Sequence, residues 1–196
     1  MPSSPTPPIE LTGSGSRLDG PSVEVPEEAL DALASICETI TVDDSTDQVA
    51  EASRDWWPMA LHWSLLGDVP RLAEVVVRPT STAEVAAAVG VCNQARVPLT
   101  VAGGRSGVCG AAAPIFGGVV LDATALAGIE SVDAGSGIVE VLPGTFGPDL
   151  ERELRDAHGL SVGHFPQSFE LATVGGWVAS RGAGQYSTRY GKIEDM

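Results

Sequence analysis

The run Ala102-Gly103-Gly104-Arg105-Ser106-Gly107, together with the ten residues after it, sets the tightest limit on the fold. It comes directly after PLTVA (Pro98 to Ala102), an apolar stretch that predicts a β-strand. Glycines at that point let the backbone approach a phosphate closely and turn several N–H groups toward it. Ser106 can donate a hydroxyl and Arg105 a charge. A tight turn with no ligand is the other reading of a single glycine cluster. The spacing AxGxxG, with Asp122 at the end of the next predicted strand, lies one residue off the doubly wound dinucleotide fingerprint. That fold fails on the intervening residues. Val108 to Gly117 reads VCGAAAPIFG, and a crossover helix does not tolerate Gly110, Pro114 and Gly117 there. The loop must instead lead through an irregular segment into a strand, a different way of presenting glycines to a pyrophosphate.

A second glycine-rich stretch runs from Gly163 to Met196. Thr173-Val174-Gly175-Gly176-Trp177 puts a hydroxyl and two backbones without Cβ before an apolar run. That suits a helix N-terminus pressed against a flat or anionic ligand.

Around these two stretches the pattern is mixed. Glu27 and Glu28 come just after Pro26, and Leu30, Leu33, Ile36 and Cys37 recur at helical spacing, so a helix is predicted there. The acidic run TVDDSTDQVAEASRD leaves room for a second short helix. Trp56, Trp57 and Trp63 read as packing, and His62 as structural. Ala73 to Val77 predicts a strand ended by Arg78-Pro79-Thr80. Ser81-Thr82-Ala83-Glu84 is a capping box opening a helix through Val85, Val89 and Val91 to Ala95. Gly118 to Asp122 predicts another strand. Ile129 to Asp133 and Ile138 to Pro143 flank Gly135-Ser136-Gly137 as a hairpin. Phe146 to His158 predicts a helix, stopped by Gly159. The order gives an α+β or mixed α/β domain.

The formal net charge is -15, from 26 acidic and 11 basic residues. Nucleic acid and anionic membrane surfaces need clustered Lys and Arg, so both are excluded as partners. Any bound phosphate must be held mainly by backbone N–H groups. Cys37, Cys92 and Cys109 form no close pair and no metal spacing, so no metal is expected. An odd cysteine count and an N-terminus without a secretion pattern predict reduced thiols in the cytoplasm. No apolar run reaches membrane-spanning length.

RPTSTAEVAAAV, TVAGGRSGVCGAA, VVLDATALAGI and FPQSFELATVGGWVASRGAGQYSTRYGKIEDM, in that order, resemble the PCMH-type FAD-binding domain of the vanillyl-alcohol oxidase / p-cresol methylhydroxylase superfamily. The nearest likeness is to glycolate-oxidase-like FAD-linked oxidases and alkyldihydroxyacetonephosphate synthase. It covers roughly Pro70 to Met196. The resemblance implies two α+β subdomains with FAD between them. It implies that Ala102, Gly103, Gly104, Arg105, Ser106, Gly107 and Val108 wrap the FAD pyrophosphate, with Arg105 standing where relatives often have glycine. Asp122 and Ala123 match a segment bordering the flavin; a plain strand-end cap is the alternative for Asp122. Pro166, Thr173, Gly175, Gly176, Ser180, Arg181 and Gly184 match the segment along the flavin and ribityl chain. Glu194 and Asp195 match a backbone-contact position near the adenosine. Trp177 is expected in the core, and Tyr186 and Tyr190 at the surface or in subunit contacts. Arg181 has the last helix carbonyls as an alternative partner. The pattern is that of the non-covalent branch, so Cys109 is not expected to carry the flavin. His164 is a minor acid–base candidate.

Members of that family are longer than 196 residues. The resemblance therefore implies a second subdomain left incomplete, with the substrate and acid–base residues in parts beyond. The expected division is a disordered tail at 1–22, a helical segment at 23–69 and the FAD-binding domain at 70–196. An incomplete subdomain exposes a strand edge and apolar surface, so this chain alone is expected to bind FAD weakly or not at all and to aggregate more than a longer form. The implied function is an FAD-linked oxidoreductase taking a hydride from a hydroxyl-bearing carbon such as that of a 2-hydroxy acid. The alternatives are a flavin-dependent transferase of the alkyldihydroxyacetonephosphate synthase kind, and a non-catalytic FAD-binding fragment. FAD and a small-molecule substrate are the expected partners, with a homodimer for the full-length form.

Overall fold

The computed structural model describes residues 15–41 and 46–196. Helix α1 (Glu27–Ile36) starts at Pro26, whose fixed φ of -58° suits a helix entry, and buries Ala29 and Leu33. Next come strand β1 (Glu38–Thr41), then α2 (Thr46–Ala52) and α3 (Pro58–Ser64), which opens with proline in its first turn. Strand β2 (Val75–Arg78) leads to α4 (Thr82–Ala95). Its entry keeps half of the predicted capping box: Ser81 Oγ accepts from Glu84 N at 3.2 Å, while Glu84 Oε2 accepts from Thr80 N at 2.7 Å, one residue before the cap. Strands β3 (Leu99–Ala102) and β4 (Val119–Asp122) complete a four-stranded sheet in the order β1-β2-β4-β3. The pairs β2–β4 and β3–β4 are parallel, while β1 runs antiparallel along the outer edge of β2.

The valine run of β2 is buried on both faces, as parallel strands covered on each side require. Val75 and Val77 join Leu33, Ala88, Cys92, Val119 and Leu121 under α1 and α4. Val76 points the other way, to Val49, Ala73, Ala102 and Val120. Along α4 the buried positions are Ala88 and Cys92, with the predicted Val85 and Val91 packed beside them, whereas the predicted Val89 is exposed.

A second unit begins with the hairpin β5 (Ile129–Asp133) and β6 (Ile138–Val141). Gly137, at φ 72°, closes its turn with an N–H to the Asp133 carbonyl at 2.8 Å. Helix α5 (Gly147–Glu153) runs on into a π-helical turn at Leu154–His158 and ends where Gly159 adopts the left-handed conformation. Helices α6 (Val174–Ser180) and α7 (Ser187–Tyr190) come after it. Leu150, Leu154, Ala172 and Trp177 form this unit's core. The architecture is α+β. Among the described residues no helix is long and apolar enough to cross a membrane.

Two expectations for the N-terminal third need correction. Residues 1–14 lie outside the described residues, but residues 15–22 of the expected disordered tail are tied down. Arg17 N donates to the Val69 carbonyl at 3.0 Å, and its guanidinium pairs with Asp68 at 2.6 Å. Arg71, 8% exposed, donates to the carbonyls of Leu18, Gly20 and Ile115 at 2.6, 3.2 and 2.9 Å. The physical reason is that a buried guanidinium needs its donors filled, and the tail's carbonyls fill them. Residues 23–69 are not simply helical either, since β1 pairs with β2 from Glu38 to Thr41 and makes the two segments one sheet. Arg71→Ala is expected to lower unfolding free energy by about 2–3 kcal/mol in urea denaturation and to open residues 15–22 to early proteolytic cleavage.

Candidate functional site

The two glycine stretches meet. An added Cβ on Gly104 would stand 1.9 Å from the Leu171 carbonyl oxygen, and one on Gly103 would stand 2.4 Å from Thr173 Oγ1. Both glycines thus let the backbone after β3 lie against the backbone that enters α6. Further contacts of the same kind hold the second wall. A Cβ at Gly175 would meet Pro143, at 2.8 Å from its Cβ, and one at Gly184 would sit 2.5 Å from the Phe165 carbonyl. Thr173, 1% exposed, caps α6 by accepting from Gly176 N at 3.3 Å. Packing within the chain therefore accounts for Gly103, Gly104, Gly175 and Gly184. It does not account for Gly107 or Gly176. Among the described residues, chain neighbours aside, an added Cβ on Gly107 would come within 4 Å only of Asp55 Oδ2, at 3.8 Å, and one on Gly176 only of its own cap, at 3.4 Å.

The loop from Gly103 to Val108 has a polar surplus. None of its backbone N–H groups donates to an acceptor among the described residues. These groups are half-buried or exposed, so the loop offers a set of open donors to an anion. Ala102 is buried at the end of β3 and anchors the loop, while Val108 is exposed. Arg105 has φ 52°, a left-handed backbone that glycine adopts freely, and its guanidinium lies 3.5 Å from Asp122 Oδ2. The Arg78 guanidinium approaches the same oxygen at 3.4 Å. Asp122 Oδ1 accepts from the N–H and the hydroxyl of Thr124 at 3.0 and 2.6 Å. Both carboxylate oxygens of Asp122 are thus filled from within the chain, which is the strand-end cap. Ala123 lies in the short 3-10 turn that Asp122 caps.

The remaining predicted residues divide in two. Pro166 is buried beneath the turn where its carbonyl accepts from Phe169 N at 3.0 Å. Ser180 turns its hydroxyl back to the Gly176 carbonyl at 2.8 Å. Arg181, at φ 53°, ends α6: its N–H donates to the helix carbonyls, that of Val178 at 3.1 Å, while its guanidinium pairs with Glu194. That bond and one from Lys192 at 2.7 Å hold the Glu194 carboxyl below the usual carboxylate range. Asp195 accepts from Lys192 N at 2.9 Å. Arg181, Glu194 and Asp195 form one exposed group with Lys192, apart from the loop contacts.

Two features of the site leave little trace in the sequence. Asp55, 2% exposed, and Trp56 lean on Gly107, with Trp56 N donating to its carbonyl at 2.9 Å. The only hint is a polar Ser-Arg-Asp trio running into two tryptophans. Pro143 is the other, since nothing in the hairpin marks it as the surface on which Gly175 sits. His164 is also more buried than a loop histidine suggests. It is 1% exposed, packs edge-on to Trp177 at 4.9 Å, and neither ring nitrogen has a partner. Burial pushes its pKa down, because desolvation disfavours the imidazolium. The cysteines are free: Cys109 is exposed, while burial raises the Cys37 and Cys92 thiols.

Residues 73–196 match the family profile described as an FAD binding domain. The alkyldihydroxyacetonephosphate synthase of Dictyostelium discoideum is 34% identical over 134 residues, covering 67% of this chain and 22% of that protein. The D-lactate dehydrogenase of Anaerostipes hadrus is 37% identical over 122 residues, covering 62% of this chain and 25% of its own length. The chain thus spans about a quarter or less of these curated relatives. Among solved structures, an alkyldihydroxyacetonephosphate synthase superposes with a TM-score of 0.83 at 28% identity, over 97% of this chain and 36% of the other. A p-cresol methylhydroxylase superposes at 0.67 with 18% identity, over 83% of this chain and 31% of the other, which is a likeness of fold.

The geometry makes two expectations testable. Gly104→Ala drives a methyl into the Leu171 carbonyl and is expected to cost about 4 kcal/mol in denaturant unfolding, whereas Gly107→Ala is expected to stay within about 1 kcal/mol of wild type. The second concerns His164. Its folded pKa lies below the unfolded value of about 6.5, so between the two the unfolded chain binds the extra proton. The stability that neutral His164 contributes is present above about pH 6.5 and is lost as pH falls through the folded value. His164→Phe is expected to flatten that part of the unfolding midpoint against pH; an unchanged slope would show that the proton goes elsewhere.

Proposed function

The chain belongs to the FAD-binding-domain family matched by residues 73–196, and from that premise we propose that it is the FAD-binding part of an FAD-linked oxidoreductase acting on a hydroxyl-bearing carbon such as that of a 2-hydroxy acid. The observation that supports this reading is the loop from Gly103 to Val108, whose N–H groups have no acceptor among the described residues. In a chain with formal net charge -15, open backbone donors are the groups suited to a pyrophosphate. Ala102 through Val108 would hold it, with Gly107 and Ser106 on the open side. Asp122 and Ala123 would border the flavin. Pro166, Thr173, Gly175, Gly176, Ser180, Arg181 and Gly184 would line the flavin and ribityl chain, and Glu194 and Asp195 the adenosine side.

When bound, a flavin supplies a hydride acceptor that no side chain can supply. This chain's own residues bind and orient. The Gly103–Thr173 and Gly104–Leu171 contacts fix the spacing between the two walls. Trp177, buried on the inner face of α6, keeps water from behind that wall. The 2-hydroxy acid class rests on analogy with D-lactate dehydrogenases and a glycolate oxidase subunit of Bacillus subtilis among the relatives.

A second reading, a flavin-dependent transferase, is favoured by the superposition of 97% of this chain on an alkyldihydroxyacetonephosphate synthase. Attachment is proposed to be non-covalent. Cys37 and Cys92 are held as protonated thiols, and His164 is closed to solvent. Titration with FAD, followed by visible absorbance and acid precipitation, tests the proposal. Weak flavin uptake, saturable at high FAD, with all colour released into the supernatant is expected. Colour retained by the precipitate would overturn the non-covalent assignment, and no uptake by a folded sample would overturn FAD binding. Bleaching of the bound flavin by a 2-hydroxy acid would separate the oxidoreductase from the transferase reading.

A further inference from the structure

Three consecutive polar residues, Ser53, Arg54 and Asp55, are 0%, 4% and 2% exposed. Burying such side chains is costly unless each finds partners. Ser53 does: its hydroxyl donates to the Val49 carbonyl at 2.6 Å and accepts from Ala73 N at 2.9 Å, tying α2 to the approach of β2. Arg54 pairs with Glu51 at 2.6 Å. Asp55 is only half served. Its Oδ1 accepts from Trp57 N at 2.9 Å, which shapes the entry to α3. Its Oδ2 is closed to solvent and has no donor among the described residues.

That oxygen faces the glycine loop. It lies 3.8 Å from where a Cβ on Gly107 would stand, and the next residue, Trp56, already holds the Gly107 carbonyl at 2.9 Å. One residue grips Gly107, and its neighbour turns an unfilled acceptor toward the same place. A buried acceptor left empty costs about 1–3 kcal/mol, more when charged, so a donor is expected to meet it in the working state. Because the oxygen is shut off from solvent, a ligand hydroxyl cannot reach it. The donors that can are in the loop itself: the N–H groups of Gly107 and Val108 donate to nothing else among the described residues. The nearest contact a Gly107 Cβ would make among the described residues is Asp55 Oδ2 at 3.8 Å, so no close packing locks the loop in place there.

We propose that Asp55 is a positioning residue for the glycine loop: when a dinucleotide pyrophosphate draws the loop closed, Asp55 Oδ2 takes the N–H of Gly107 or Val108. This fixes the far end of the loop, as the Gly104–Leu171 contact fixes the near end, and leaves the N–H groups between them facing the phosphates. Asp55 acts through the loop and does not touch the cofactor. The inference rests on the FAD-binding reading above.

The test compares two variants of the whole chain. Asp55→Asn keeps an oxygen for Trp57 N but puts an NH2 donor where the loop-facing acceptor was. Asp55→Ala removes both. FAD affinity is read by flavin titration, and the apo fold by the thermal midpoint without FAD. Asp55→Asn is expected to unfold within a few degrees of wild type yet to bind FAD about tenfold more weakly, and amide exchange in residues 103–109 of its FAD complex should be faster. Asp55→Ala should lose both affinity and midpoint. Wild-type affinity in Asp55→Asn overturns the proposal, as does an affinity loss that only tracks a fallen midpoint. A folded wild type that takes up no FAD removes the premise and the inference together, and the wild-type titration alone tells that failure from the others.

Discussion

The contact on which the candidate site depends is between two backbones. Where Gly104 meets the Leu171 carbonyl there is no room for a single methyl group. That contact joins the end of β3, in the four-stranded sheet, to the extended entry of α6, in the second unit. The loop beyond Gly104 must bulge away, its N–H groups lose the acceptors a regular strand would give them, and Thr173 is brought to cap α6 directly beside Gly103. A glycine motif here is first a way of pressing two chains together. Its open donors arise from that close approach, and the proposed ligand would use what the approach leaves unfilled.

Charge is arranged around the same contact. The chain carries 26 acidic residues against 11 basic ones, and the basic groups near the loop are already engaged. Arg105 and Arg78 both face Asp122, which also caps the turn after β4. Arg181 and Lys192 are held by Glu194. An anion at the loop would therefore meet backbone dipoles before any free side-chain cation. A loop held by the Gly104–Leu171 contact loses less conformational freedom on binding an anion than long flexible lysines would.

Much of this was legible in one dimension because it rests on local rules. The Ser81 cap, the Gly137 turn, the Gly159 stop and the Thr173 cap are each set within a few residues. The glycine loop's incompatibility with a crossover helix was legible too, since Gly110 and Pro114 forbid the helix wherever the chain goes. What could not be read is set by distant partners. Nothing in ETIT (Glu38–Thr41) says that it will pair with β2, because a four-residue edge strand has too short a pattern to stand out. The order of residues 15–22 depends on Arg71, some fifty positions away. The split among the glycines is of the same sort. In one dimension Gly104 and Gly107 carry the same meaning, while the carbonyl that separates them belongs to Leu171.

Asp55 and Arg71 change where the site ends. Both lie before the stretch that matches the FAD-binding family, at residues 73–196. Arg71 pins residues 15–20 against the irregular segment that continues the glycine loop, through the Ile115 carbonyl. Asp55 and Trp56 close on Gly107 from the same N-terminal part. The loop is thus held on one side by the second unit and on the other by residues that carry no glycine motif at all. A loop anchored at one end only would leave its donors free to scatter, and an anion would have to gather them against their entropy. The Gly104–Leu171 contact and the Trp56–Gly107 bond hold the loop at two points and limit how far its unsatisfied N–H groups can scatter. That makes the polar trio before the two tryptophans as much a part of the candidate site as the glycines themselves.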